Sequence, residues 1–258
     1  MEYGICNLSV IPVRNEPSDK SEMTSQLLFC DFVKIIERYK NWLKVESLFD
    51  NYEGWVDYKQ IAIITKDYSD ENLGSKNIII EKVTEVTNNR LNINVLTFIG
   101  STIPVSVNNS FFINDEKYSF LKNDIYKKDL SIEQIALKYY NTPYLWGGKT
   151  PFGIDCSGFT QIVYKIFGVC LKRDASKQAE QGIQVDFLSE VKSGDLAFFE
   201  NEEGKIIHVG ILLSENKIIH ASGRVKIDDI DHEGVYSREY DRYTHKLRFI
   251  KRIESSVV

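Results

Sequence analysis

Residues 143–168, PYLWGGKTPFGIDCSGFTQIVYKIFG, leave few structural choices. Before Asp155 the stretch holds Pro143, Gly147, Gly148, Pro151 and Gly153, too many breakers for a regular element, so it predicts a loop presenting Tyr144 and Trp146. After it, Phe159, Ile162, Val163, Ile166 and Phe167 recur at helical spacing, and Gly168 stands where a left-handed C-terminal cap belongs. Cys156 therefore falls at a helix N-terminus. Unpaired N–H groups and the helix dipole favour a thiolate there and can hold an oxyanion, which makes this thiol a candidate nucleophile.

The rest of the chain divides by pattern. Residues 1–60 read as a small barrel of short strands, with apolar runs at 5–13, 26–36, 42–48 and 54–58 separated by polar turns. Residues 61–125 are again rich in strand signals, at 78–83, 91–98 and 102–107. A third domain is expected over 126–258. Ser131 and Gln134 have the capping-box order, predicting a helix to about residue 140, where Pro143 stops it. From Ser193 the signals turn to strands at 195–199, 206–213 and 217–221. Helices followed by an antiparallel sheet give an α+β class.

Two strand histidines bear on the cysteine. If the loop between their strands is Ser214 to Asn216, with Asn216 left-handed, Leu213 pairs with Lys217 and His220 falls opposite Gly210. His208 and His220 then share a face; a four-residue loop would separate them. A thiol at a helix start packed on that sheet supplies nucleophile, base and orienting group. His232 and His245 lie among charged residues and read as solvated. Cys6, Cys30 and Cys170 read as small core residues.

Composition narrows the partners. Lys+Arg 32 against Asp+Glu 37 gives a net charge of -5, which argues against a nucleic-acid or anionic-membrane surface. Four cysteines without a CxxC pair suit a reducing compartment. The first ten residues lack a basic stretch followed by a full apolar run. A cytoplasmic monomer is expected, or a periplasmic or secreted one if a leader was removed.

At this point the residues carry a resemblance. Tyr144-Leu145-Trp146-Gly147-Gly148, Asp155-Cys156-Ser157-Gly158-Phe159, Ser193-Gly194-Asp195-Leu196, His208-Val209-Gly210-Ile211 and Ile219-His220-Ala221 look like the successive motifs of NlpC-type cysteine peptidases. Lys40 to Val45 followed by Gly54-Trp55-Val56 resembles the bacterial SH3-like domain, with residues 61–125 as a second, diverged copy or another β-rich domain. The resemblance implies a papain-like catalytic domain, helices packed on an antiparallel sheet, behind one or two SH3-like barrels. It implies Cys156 as nucleophile, His208 as base and His220 as the residue that orients it, without metal or cofactor.

The arrangement is similar to that of the γ-D-glutamyl-diamino-acid dipeptidyl-peptidases of murein recycling, which implies a peptidoglycan stem peptide, L-Ala-γ-D-Glu-diamino acid, as substrate. In that subgroup Asp155 and Ser157 are implied to bind the free amine, with Tyr52 and Glu16 closing the pocket, Glu22 and Glu53 as alternatives to Glu16, and Tyr144 and Trp146 lining it. Cys30 falls where the subgroup more usually has glycine. Four other readings stand beside this one. They are a zinc site on Cys156, His208 and His220, an inert wall-binding protein, an acyltransferase on the same fold, and an endopeptidase acting on intact wall.

Overall fold

The computed structural model describes residues 2–75, 77–120 and 130–254. The expected boundary at 125/126 lies outside the described residues. The chain separates into two compact units, one of residues up to 120 together with Trp146–Pro151, the other of residues 130–145 and 152–254.

In the first unit, seven antiparallel strands form one sheet in the order Met23–Leu28, Val10–Arg14, Glu53–Asp57, Trp42–Ser47, Phe32–Tyr39, Glu2–Cys6, Ile61–Ile64. Alternation decides what is inside: Ile11, Val13, Leu43, Val45 and Val56 form a core with Cys6, Val33 and Ile61, while Pro12, Trp42 and Lys44 between them are half-exposed. Two of the apolar runs each form two strands. Residues 5–13 split at Asn7–Ser9, and residues 26–36 split where Cys30 takes φ 64. That left-handed backbone is why glycine suits this position, since a side chain there costs about 1–2 kcal/mol. Ile61–Ile64 pairs with Glu2–Cys6, so the first sheet continues beyond residue 60.

Residues 65–120 add a helix, Lys66–Asn72, capped by Thr65, which the sequence reading missed. They also add a four-stranded sheet of Val83–Asn88, Ile93–Phe98, Ser110–Ile113 and Glu116–Phe120. This sheet does not close a core alone. Phe111 stacks on Tyr118 with ring centroids 5.4 Å apart, and both join a cluster with Ile5, Phe29, Phe32 and Ile64. The shared core makes one unit of what reads as two.

In the second unit the capping box forms as expected, with Ser131 Oγ accepting from the Gln134 N–H and Gln134 Oε1 accepting from the Ser131 N–H. The helix is shorter than expected, Ile132–Leu137, and the chain turns at Asn141 with φ 66. The cysteine helix spans Cys156–Ile166 and is buried throughout. It ends in the expected cap: Gly168, at φ 76, donates to the Lys165 carbonyl and Val169 donates to that of Tyr164. The helix packs on the strands Ile206–Ser214 and Lys217–Ser222.

The antiparallel sheet runs Arg242–Arg252, Leu196–Glu200, Ile206–Ser214, Lys217–Ser222, Arg224–Ile230, Gly234–Ser237, and the last strand pairs back with the first, closing a barrel. Leu212, Ile218, Phe199, Val235 and Ile250 fill one end of its interior.

Candidate active site

Cys156 occupies the first turn of its helix because Asp155 caps it: Asp155 Oδ1 accepts from the Gly158 N–H at 2.7 Å and from Ser157 Oγ at 3.3 Å. The cap is held in turn by Arg173, a residue the sequence reading passed over. Its guanidinium donates from Nη1 to Asp155 Oδ1 at 3.0 Å and to Ser157 Oγ at 2.8 Å, and from Nη2 to Asp155 Oδ2. Gln178 lies in a helical turn, Ala175–Gln178; it donates to the Ser157 carbonyl at 2.9 Å and accepts from Thr160 at 2.7 Å. Three buried side chains thus fix the turn that carries the thiol. The Asp155 carboxylate is engaged by the cap and by Arg173, so it presents little net charge to an incoming ammonium.

His208 and His220 meet. The Ile211–Ile219 and Leu212–Ile218 pairs continue to Gly210 opposite His220, the expected register, and His208 Nε2 lies 2.9 Å from His220 Nδ1. The turn reaches that register differently: Ser214 pairs with Lys217, Leu213 bulges, and Asn216 is not left-handed. Gly210 is needed there, since a Cβ would sit 2.8 Å from that of His220 and 2.7 Å from Ile218 Cδ1. His220 Nε2 lies 3.1 Å from Asp228 Oδ2, and Lys226 Nζ lies 3.0 Å from the same oxygen.

His245 corrects the expectation of a solvated side chain. It is paired with Val235 on the closing strand and stacks on His208, with centroids 4.2 Å apart and planes 25° apart. Nothing in its charged sequence neighbourhood signals this, because the strand pairing that closes the barrel brings it there. One ring nitrogen from each of the three histidines lies within 4.8 Å of the others, a cluster that does not include Cys156. Two stacked rings run their in-plane lone pairs side by side, whereas a tetrahedral metal needs them to converge. The cluster is therefore read as ring packing.

Burial sets the resting protonation. It pushes the Cys156 thiol up to about 12, with Asp155 adding to the rise and the N–H groups of Val209 and Ser157 only partly offsetting it. It pushes His208 well below the usual imidazole range, helped by His220 and His245. Both shifts favour a neutral thiol–imidazole pair at rest, in place of the thiolate expected from the helix start alone. The contact with Val209 brings the sulfur to the residue after His208.

Tyr144 belongs to the same unit, and its phenol is pushed up by burial and by Cys156 and Asp155. Trp146 does not belong to it. With Gly147 to Pro151 it is part of the first unit, where its indole N–H donates to Glu22 at 2.6 Å. Gly147, at φ 75, lies so close to Met23 that a Cβ would sit 2.5 Å from its carbonyl oxygen, and the Lys149 N–H donates to Gln26 Oε1 at 2.8 Å. Tyr52 lines a small cavity there with Ser25, Asp50 and Lys149; Glu16 is exposed, and Glu53 pairs with Lys44 at 2.9 Å. Of the other cysteines, Cys6 and Cys30 are buried as expected, whereas Cys170 is exposed.

Residues 141–244, which span the thiol and the histidine strands, match the NlpC/P60 family, and residues 13–61 match the bacterial dipeptidyl-peptidase SH3 domain. The chain carries an NlpC/P60 domain and is a hydrolase of the cysteine-peptidase type. A γ-D-glutamyl-L-lysine dipeptidyl-peptidase of Bacillus cereus is 25% identical over 86% of this chain and 75% of its own length. The Bacillus subtilis protein of the same name is 45% identical over 35% of this chain and 31% of its own. An NlpC/P60 family protein of Bacillus cereus has the same fold, with a TM-score of 0.80 over 97% of this chain and 99% of that one, at 19% identity.

The three clustered histidines give the NlpC/P60 domain a pH signature. Burial lowers all three, His245 to about 4, so below pH 6.5 the unfolded chain takes up protons that the native site refuses. The stability they confer is complete above the ordinary histidine value and is lost as pH falls from 6.5 towards 4. Urea unfolding at pH 7.5, 6 and 5 is expected to show a falling midpoint; His245→Phe, which cannot take up a proton in either state, should flatten the fall.

Proposed function

We propose that this peptidase hydrolyses the amide between γ-D-glutamate and the following diamino acid, lysine or diaminopimelate, in cell-wall stem peptides with a free N-terminal L-alanine. The observation that carries this reading is the relationship to a γ-D-glutamyl-L-lysine dipeptidyl-peptidase along most of the chain, with the dipeptidyl-peptidase SH3 domain ahead of the NlpC/P60 domain.

In this reading Cys156 Sγ attacks the glutamyl carbonyl as His208 takes the thiol proton. The carbon–nitrogen bond breaks, and the same proton passes to the leaving amine. Water then attacks the thioester, gives a proton to His208 and releases the γ-D-glutamyl carboxylate with the thiol restored. The Val209 and Ser157 N–H groups near the sulfur are placed to favour the thiolate as it forms. His220 holds the His208 ring.

Recognition of the free amine is assigned to Ser157 and Tyr144 beside the thiol. Asp155 contributes carboxylate oxygens whose charge Arg173 already meets.

The test is a comparison of kcat/KM for L-Ala-γ-D-Glu-L-Lys and its N-acetyl form. Acetylation removes the charge-assisted hydrogen bonds of the ammonium, at about 1.5–3 kcal/mol, so the free peptide is expected to react roughly 10-fold faster or more. Equal rates, with equal cleavage of muramyl-linked stems, would make the protein a wall-acting endopeptidase. Transfer of the acyl group to an added amine in place of water would make it an acyltransferase.

A further inference from the structure

The His208–His220 pair does not end at His220. Its second nitrogen reaches Asp228, and Asp228 is met by Lys226 on the same strand. All four side chains are buried, His220 completely. Lys226 also lies over the Tyr240 ring at 5.1 Å. We propose that Asp228 is a positioning residue that fixes the tautomers of both histidines, and through them chooses which nitrogen of His208 acts as base.

Hydrogen-bond polarity fixes where each proton sits. An ionised carboxylate can only accept, so the nitrogen of His220 facing it, Nε2, must carry the proton. His220 Nδ1 then holds a lone pair, and the His208 Nε2 that faces it at 2.9 Å must donate. One nitrogen of His208 is left unprotonated, Nδ1. During acylation it takes the thiol proton; the imidazolium keeps its Nε2–H bond to His220, and the His220 proton stays on Nε2 against Asp228. No proton moves beyond His208. Lys226 keeps Asp228 in the form that can only accept, since His220 and Lys226 hold that carboxyl below its ordinary range against the opposing effect of burial.

An asparagine at 228 removes this polarity. Its amide can donate to His220 Nε2, which moves the His220 proton to Nδ1, turns the bond to His208 around and places the His208 proton on Nδ1. That form has no base to offer the thiol.

The proposal rests on the peptidase reading for its turnover arm but not for its spectroscopic one. The chain has four histidines, so long-range proton–nitrogen spectra of the 15N-histidine-labelled full chain at pH 7.5 can report each tautomer without substrate. Both His208 and His220 are expected to be protonated on Nε2; a His220 protonated on Nδ1 overturns the proposal. Asp228→Asn is expected to release that tautomer and lower kcat about 10–100-fold with KM little changed. Lys226→Met/Asp228→Asn controls for a stranded lysine and is expected to lose as much. If the double variant regains the wild-type kcat, the loss came from the lysine and the positioning role fails. If the wild type does not cleave the free tripeptide, the substrate reading fails, and the tautomers still decide the role of Asp228.

Discussion

Cys156→Ala is expected to abolish peptide hydrolysis while leaving the fold intact. The variant deletes the atom that forms the covalent intermediate, and members of such a unit cost nearly the whole rate enhancement when removed singly, so turnover should fall roughly 10⁴-fold or more. Folding loses little. Alanine is the best helix former, and the Asp155 cap bonds to backbone and to Ser157, not to the sulfur. Stability should change by about 1 kcal/mol. The check pairs a turnover assay with urea unfolding: a variant that unfolds like the wild type but retains more than a hundredth of its rate would remove Cys156 from the chemistry.

Arg173→Leu should be the most damaging single change for stability. The guanidinium is buried with Asp155 and bonds to both of its oxygens and to Ser157. Removing one partner of such a pair leaves the other charge buried without it, at a cost of about 3–5 kcal/mol. The loss should be partly reversible. Asparagine caps helices about as well as aspartate, so Arg173→Leu/Asp155→Asn keeps the cap without the stranded charge and should recover part of the loss. Urea unfolding of the two singles and the double gives the coupling directly; an Arg173→Leu variant within 1 kcal/mol of the wild type would contradict the account.

What was legible in the sequence was what local rules control. The capping box, the cysteine helix with its Gly168 stop, and the His220–Gly210 register all follow from periodicity, capping and strand pairing over short separations. The register came out right although the turn did not, because a bulge at Leu213 and a two-residue turn advance the strand by the same amount as the expected three-residue loop. What the sequence hid depends on closure over long separations. His245 joins the histidines only because the last strand pairs back with Gly234–Ser237. Asp228 and Arg173 look like surface charges until their partners appear, and a helical pattern of seven residues, Lys66–Asn72, is too short to stand out among strands. The loop ahead of the cysteine was legible as a loop. That Trp146 would hydrogen-bond to Glu22, 124 residues away in sequence, was not.

The most direct test of the central claim is mass spectrometry of the products from L-Ala-γ-D-Glu-L-Lys and its diaminopimelate counterpart in H₂¹⁸O. The account predicts the dipeptide L-Ala-γ-D-Glu carrying one ¹⁸O in its new γ-carboxylate, together with the free, unlabelled diamino acid, and neither product with Cys156→Ala. Release of free L-alanine, or no cleavage of either tripeptide under conditions where intact wall is cut, would contradict it.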